Sequence, residues 1–142
     1  MKLIVTGGGT GGHVYPALEV ALLAVERGHE VAYLGSLRGQ EGGLCRKQGI
    51  EFTGFASEPV YSLKTLRGLK ALYRLLVAKR AAKEELARQK PQALFSTGGY
   101  SSAPVVSAAR LLVIPYVIHE QNSVPGRSNL VFSKKAFFLA TT

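Results

Sequence analysis

The stretch that decides the fold lies near the amino terminus, where residues 3–16 read LIVTGGGTGGHVYP. A short apolar run, Leu3 to Val5, is followed by five glycines in six positions and then by a helical pattern from Tyr15 to Arg27. A strand, a glycine-rich turn and a helix in this order predict the first unit of a parallel α/β sheet. Bare backbone N–H groups and the helix dipole at such a turn can cradle a phosphate.

The alternation of apolar runs and helical patterns continues along the whole chain. Further strands are predicted at 31–34, 50–55, 93–95, 116–118 and 136–140. The remaining helical patterns cover 41–48, 65–89, 102–112 and 128–133. Because most of the strand runs are continuously apolar, the pattern predicts strands buried on both faces, in one α/β domain with a doubly wound parallel sheet.

The composition excludes several classes of site. All nine acidic residues are Glu and the chain has no Asp, which excludes aspartate pairs, Asp-x-Asp metal sites and EF-hand loops. The one cysteine, Cys45, cannot form an internal disulfide, so the chain fits a reducing compartment. The longest apolar run, 111–118, is too short to span a bilayer, and no signal peptide precedes the first strand. These features predict a cytoplasmic protein.

Ligands of a doubly wound sheet bind beyond the carboxyl ends of its strands, so the loops there are the candidate site. The first loop satisfies G-x-G-x-x-G at Gly7, Gly9 and Gly12. A dinucleotide site would need an acid at the end of the second strand, but that strand ends in Leu-Gly-Ser, which disfavours NAD. A Walker loop is excluded because His13 stands where its lysine would be.

The loop after the fourth strand repeats the glycine pattern at Gly98 and Gly99, followed by Ser101 and Ser102. These serines either cap the next helix or contact a ligand. Two glycine-lined helix starts on one sheet edge predict a diphosphate, or two phosphorylated ligands. His13, beside the first loop, could act as a base or donate to a phosphate, or it could simply pack.

The loop after the fifth strand reads His119-Glu120-Gln121-Asn122. Its amides would suit sugar hydroxyls, and Glu120 could accept a proton. The alternative is that these side chains only cap helices and hold the loop by hydrogen bonds.

A basic amphipathic helix carries most of the net charge of +9. Residues 64–90 hold nine basic residues against two Glu, which amounts to +7. One stripe is cationic, at Lys64, Arg67, Lys70 and Arg74, and an adjoining band is apolar and includes Leu66, Leu69, Leu72, Tyr73, Leu76 and Val77. The pattern favours an anionic membrane surface. The alternative is that the apolar band is the core face of the helix, and nucleic acid is disfavoured because no binding motif is present.

Taken together, three motifs resemble the MurG family of bacterial glycosyltransferases. They are Gly8 to Pro16, Gly98-Gly99-Tyr100 and His119 to Asn122, in the order and spacing of that family. The family transfers N-acetylglucosamine from UDP-GlcNAc to undecaprenyl-pyrophosphoryl-muramyl-pentapeptide. The resemblance implies the N-terminal half of a GT-B enzyme, in which two Rossmann-like domains face a cleft, working by inversion without a cofactor or an Asp-x-Asp metal site.

The resemblance also implies roles for individual residues. Catalysis would fall to His13 and Glu120. The donor would be contacted by Thr10, Gly11, Gly12 and Asn122. The acceptor and its diphosphate would be contacted by Gly8, Gly9, Gly98, Gly99, Tyr100, Ser101, His119 and Gln121. The membrane patch would consist of Lys64, Arg67, Lys70, Arg74, Leu69, Leu72, Tyr73 and Leu76, placing the protein peripherally on the inner face of the cell membrane.

The chain departs from the family pattern in three places. Ala103 replaces a glycine of the second loop, Pro125 is unusual in the third, and the sequence stops at Thr142 after the last predicted strand. We therefore expect residues 1–142 to form the acceptor-binding domain, with the donor-binding domain absent and the isolated chain inactive. The alternatives are a non-catalytic module that binds a membrane or an acidic partner, and an NAD-dependent oxidoreductase.

Overall fold

The computed structural model describes all residues from Met1 to Thr142. The strands are β1 (Lys2–Thr6), β2 (Glu30–Ser36), β3 (Glu51–Phe55), β4 (Ala93–Ser96), β5 (Tyr116–Glu120) and β6 (Phe138–Thr141). The helices are α1 (Gly11–Glu26), α2 (Glu41–Lys47), α3 (Leu66–Gln89), α4 (Ala103–Leu111) and α5 (Arg127–Ser133). Every predicted strand and helix is present, so the α/β architecture inferred from the sequence is confirmed.

All six strands are parallel, in the order β3-β2-β1-β4-β5-β6. The chain winds outward from β1 to β3, returns along α3 and winds outward again from β4 to β6. The order therefore reverses between β1 and β4, whose ends pair Thr6 with Ser96. A reversal of this kind opens a crevice at the carboxyl ends of the strands, where doubly wound sheets bind ligands.

The core has two layers because successive strand residues point to opposite faces of the sheet. Ile4 faces a cluster shared with α3 and α4, whereas Val5 faces a cluster shared with α1 and α2. Both side chains are fully buried, and each such burial stabilises the fold by about 1.5–3 kcal/mol. The crevice is therefore framed by strands that the core holds from both sides.

Helix α1 begins four residues earlier than its apolar pattern predicts. Thr10 is extended (φ −140°, ψ 158°), and its carbonyl accepts hydrogen bonds from the N–H groups of His13 and Val14, both at 3.1 Å. The glycines at 11 and 12 therefore lie within the first turn of the helix. His13 projects from this turn rather than from a loop.

Helix α3 packs on α4 through small residues. This contradicts the alternative that the apolar band of α3 is its core face. The first three buried positions of the helix are Gly68, Ala71 and Ala78, whereas Leu69 and Tyr73 are 52% and 69% exposed. The apolar band is thus not the core face of this part of the helix. None of the five helices is both long enough and apolar enough to span a bilayer.

Candidate functional site

The loops that follow β1 and β4 are joined directly at the crevice. The Gly8 N–H donates to the Gly98 carbonyl at 3.2 Å. Gly99 has φ +85°, and a Cβ there would overlap the Gly8 carbonyl oxygen. Gly9 has φ +92°, and a Cβ there would overlap the ring of Tyr100. Glycine is needed at both positions because they combine left-handed backbone with close packing.

His13 connects all three loops of the site. Its Nδ1 lies 2.8 Å from the Thr97 carbonyl oxygen and 2.6 Å from the side-chain amide of Gln121. The Thr97 hydroxyl in turn donates to the His13 carbonyl at 2.6 Å. The other ring nitrogen, Nε2, has no hydrogen-bond partner within the chain. The ring is thus held at one nitrogen and free at the other.

Glu120 is buried, and both of its carboxylate oxygens are occupied. Oε1 accepts from the backbone and side-chain amides of Asn122 at 2.9 and 3.0 Å. Oε2 accepts from the Gly126 N–H at 3.0 Å and from Asn129 Nδ2 at 2.8 Å. Burial acts to raise the pKa of this carboxyl, but the four donors outweigh it, and the pKa is lowered. The carboxylate holds the loop between β5 and α5 in shape.

A cavity of about 420 Å³ opens beside His13 at this edge of the sheet. Its lining comprises His13, Pro59, Val60, Tyr61, Gly99, Tyr100, Gly126, Arg127 and Ser128. Arg127 is exposed and forms no ion pair, so a cation faces this cavity without a carboxylate partner. Neither Arg127 nor the segment 59–61, which comes from the loop before α3, belongs to a motif that could have been recognised from the sequence.

The predicted donor contacts lie along the open edge of the site. Thr10 and Gly12 are exposed at the start of α1, and Gly11 is half-buried beside them. Asn122 is exposed as well, and its Nδ2 is engaged by Glu120, which leaves its Oδ1 free. These positions are open to a ligand, and the donor contacts themselves stay predictions.

Of the eight predicted acceptor contacts, only Gly99 and Tyr100 line the cavity, and Ser101 and His119 are among those that lie outside it. Ser101 is fully buried, and its hydroxyl has no partner. The His119 ring stacks against Phe95 with ring centroids 6.4 Å apart, and it does not line the cavity. Capping by these serines is wrong in detail, because Ser102 precedes α4 but donates its hydroxyl to the Gly99 carbonyl at 2.8 Å instead of accepting from the helix.

Beneath the first glycine loop lies a buried carboxylate that sequence reasoning missed. Glu41 is fully buried, its Oε1 accepts from the Ser36 N–H at 3.2 Å, and a Cβ at Gly8 would overlap it. Burial, aided by this carboxylate, raises the pKa of Cys45 to about 12. The same two causes raise the pKa of Tyr33, whose hydroxyl donates to the Gly7 carbonyl. Glu41 and Tyr33 thus pack under the first glycine loop and support its backbone at Gly7 and Gly8.

The predicted membrane patch is largely exposed, and one of its four cations, Arg74, is paired with a carboxylate outside the patch. Lys64, Arg67 and Lys70 are exposed and unpaired, and Leu69, Tyr73 and Leu76 are more than half exposed beside them. Leu72 is half-buried. Arg74 binds Glu58 at 2.8 Å, and Glu58 also binds Arg38 at 2.7 Å. Three cations of the stripe therefore remain available to an external anion.

The structure brings together no group of three His, Cys or Glu side chains that could hold a metal ion.

Comparison with known proteins identifies relatives along nearly the whole chain. One of them, from Bacillus licheniformis, is 42% identical over 137 residues, and one from Exiguobacterium is 40% identical over 139 residues. Both are named UDP-N-acetylglucosamine–N-acetylmuramyl-(pentapeptide) pyrophosphoryl-undecaprenol N-acetylglucosamine transferase. The matches cover 94% and 96% of this chain but only 37% and 38% of the relatives.

A solved structure and a family model agree with these relatives. The crystal structure of MurG from Acinetobacter baumannii matches with a TM-score of 0.88 and 35% identity, covering 99% of this chain and 41% of that one. Residues 3–139 match the model of the glycosyltransferase family 28 N-terminal domain. The resemblance inferred from the three motifs is thereby confirmed, and the chain belongs to the glycosyltransferase family 28 N-terminal domain family.

Proposed function

We propose that this chain is the acceptor-binding domain of an inverting GT-B glycosyltransferase. The reaction is transfer of N-acetylglucosamine from UDP-GlcNAc to the undecaprenyl-pyrophosphoryl-muramyl-pentapeptide lipid. Support comes from the family membership and from relatives that carry this activity in their names. The chain spans about 38% of the length of such a relative, so a second, donor-binding domain is part of the proposal.

One observation carries the proposal: a half-buried histidine with a free ring nitrogen beside a cavity of about 420 Å³. An acceptor hydroxyl placed in this cavity can lose its proton to His13 Nε2 as its oxygen attacks the anomeric carbon. The new C–O bond forms as the bond to UDP breaks, so the configuration inverts and UDP leaves with the bonding electrons. Glu120 is the weaker candidate for the base, because its carboxylate is fully engaged by four donors.

The diphosphate of the lipid acceptor has two kinds of partner in this site. The glycine loops present backbone N–H groups at the starts of α1 and α4, where the helix dipoles favour an anion. Arg127 lines the same cavity and adds a cation with no carboxylate bound to it. The donor is contacted by Thr10, Gly11, Gly12 and Asn122 from this side and is held mainly by the second domain.

Attachment to the inner face of the cell membrane is assigned to the first half of α3. Lys64, Arg67 and Lys70 lie beside an exposed apolar band, which is the combination that binds an anionic lipid surface. The protein is then cytoplasmic and peripheral. Nearness of the acceptor cavity to the membrane is part of this proposal, supported by a depression that shares Tyr61 with the cavity and Arg67 with the patch.

The test uses this chain alone and this chain joined to the remaining part of the Bacillus licheniformis relative. Transfer of labelled N-acetylglucosamine from UDP-GlcNAc to the lipid acceptor is measured for both. We expect no transfer by the chain alone, transfer by the joined protein, and loss of at least two orders of magnitude on His13→Ala. His29→Ala, at the opposite end of the sheet, is the matched control. Transfer by the chain alone, or full activity of the His13→Ala variant, would contradict the proposal.

A further inference from the structure

The two contacts of His13 Nδ1, with Thr97 and with Gln121, place conflicting demands on that nitrogen. The Thr97 carbonyl oxygen, 2.8 Å away, can only accept, so Nδ1 must carry a hydrogen. The amide nitrogen of Gln121, 2.6 Å from the same Nδ1, can only donate. Two donors would then face each other within hydrogen-bond distance.

The amide oxygen of Gln121 supplies the second clue. It is buried and has no hydrogen-bond partner. An amide oxygen and nitrogen have nearly the same shape, so rotating the Gln121 amide by half a turn exchanges the two atoms without changing its packing. Exchanging them places the oxygen against Nδ1–H, where it gains a donor and the clash of donors disappears.

We infer that Gln121 is a positioning residue that holds His13 in the tautomer protonated at Nδ1, so that Nε2 carries the free lone pair. Nδ1–H is shared between the Thr97 carbonyl and the Gln121 amide oxygen. His13 and Gly99 both line the cavity, and a Cβ at Gly99 would contact the Cδ2 atom next to Nε2, so we place Nε2 as the proton acceptor on the cavity side of the ring.

The opposite assignment would change what His13 can do. If Gln121 donated to Nδ1, the ring hydrogen would sit on Nε2, and His13 would offer the cavity a donor instead of a base. The Thr97 carbonyl and the Gln121 amide together therefore favour the tautomer that can deprotonate a hydroxyl over the tautomer that can bind an anion. The role of His13 as a base rests on the proposed function. The tautomer itself is a property of the chain and does not depend on that function.

The test is nitrogen-15 NMR of the 142-residue chain at alkaline pH, where imidazole rings are neutral. Protonated and bare ring nitrogens have well-separated shifts, and His13→Gln assigns the signals among the three histidines. We expect His13 to show a protonated Nδ1 and a bare Nε2. Gln121→Leu should raise the fraction protonated at Nε2 severalfold, and Gln121→Glu, which keeps an acceptor oxygen, should restore the original tautomer.

Gln92→Leu is the matched control, because Gln92 contacts the Lys2 N–H at the other end of the sheet. It should leave the His13 signals unchanged. A wild-type chain protonated at Nε2 overturns the inference, and so does a Gln121→Leu chain whose tautomer is unaltered, since Thr97 alone would then be sufficient. If Gln121→Leu does not fold, comparison of wild type with Gln121→Glu decides: both must be protonated at Nδ1. The proposed function is tested separately, because the tautomer is read without substrate and transfer is read from product.

Discussion

Two hydrogen bonds join His13 and Thr97, which lie 84 positions apart in the sequence. The Thr97 hydroxyl donates to the His13 carbonyl at 2.6 Å, and the His13 ring meets the Thr97 carbonyl at 2.8 Å. The first turn of α1 is thus attached to the loop after β4. This pair spans the reversal of strand order, so it fixes the position of the candidate base relative to the cavity.

Replacing Thr97 with Val should loosen this attachment without changing the shape of the side chain. The His13 carbonyl loses its hydroxyl donor in a buried setting, so we expect the free energy of unfolding to fall by about 1–3 kcal/mol. Thr53→Val is the control, because Thr53 forms no side-chain hydrogen bond. Urea unfolding of both variants measures the difference, and equal losses would show that the hydroxyl bond contributes nothing particular.

Gly99→Ala should be far more damaging than Gly28→Ala, although their backbones are alike. The φ angles are +85° and +82°, so left-handed backbone costs each alanine roughly 1–2 kcal/mol. At Gly99 the new Cβ also overlaps the Gly8 carbonyl oxygen, whereas at Gly28 it meets open space. Crowding of this kind adds about 1–3 kcal/mol. Thermal unfolding measures the loss of stability in each variant, and the difference between the two losses is the cost of crowding at Gly99. Similar losses in both variants would mean that the two glycine loops are not tightly packed against each other.

Glu120→Gln should weaken the fold at neutral pH and reduce its sensitivity to acid. The pKa of Glu120 is lowered in the folded chain, so its contribution is present above the unfolded value of about 4.3 and is lost as the pH falls through the folded value. Glutamine cannot accept at both oxygen positions, and one donor is left facing an NH₂ group, at a cost of about 1–3 kcal/mol.

The measurement for Glu120 is the free energy of unfolding between neutral and strongly acidic pH. The wild-type curve should fall on acidification, and the Glu120→Gln curve should start lower and fall less. Glu26→Gln is the control, because Glu26 is exposed and forms no ion pair. Parallel curves for the wild type and Glu120→Gln would show that this carboxylate does not stabilise the loop.

Neutralising the cations at the start of α3 should release the chain from anionic vesicles. Each Lys or Arg near a lipid surface contributes about 1 kcal/mol, so the triple change of Lys64, Arg67 and Lys70 to Gln should weaken binding roughly a hundredfold. The matched control neutralises Lys79, Lys83 and Lys90 in the second half of the same helix and beyond its end. Co-sedimentation with phosphatidylserine vesicles measures both. Equal losses from the two triple variants would show that total charge, and not this patch, drives binding.

The elements were predictable because their signals are local. Apolar runs and helical periodicity depend on neighbours within a few residues, and all six strands and five helices follow from them. The start of α1 was misplaced because Gly11 and Gly12 have no helical preference of their own. Their helical state depends on the hydrogen bonds that the Thr10 carbonyl accepts.

Other parts of the site were not predictable because they depend on residues distant in the sequence. Arg127 and Tyr61 line one cavity only because the loops before α3 and α5 meet at the sheet edge. Glu41 reads as an ordinary helix-start acid, yet the fold buries it beneath Gly8. Likewise, the sequence pattern of the apolar band around Leu69 and Tyr73 is the same whether the band is buried in a core or exposed on a surface.

By itself, the sequence determined the layer architecture, the glycine loops and the family, since each rests on short motifs and local periodicity. Tertiary structure alone decided which groups are available for chemistry. Glu120 is occupied by four donors, whereas His13 keeps one nitrogen free, and no spacing in the sequence distinguishes the two. The physical reason is that a side chain's reactivity depends on the partners that surround it, and the fold supplies those partners from strands and loops far apart in the chain.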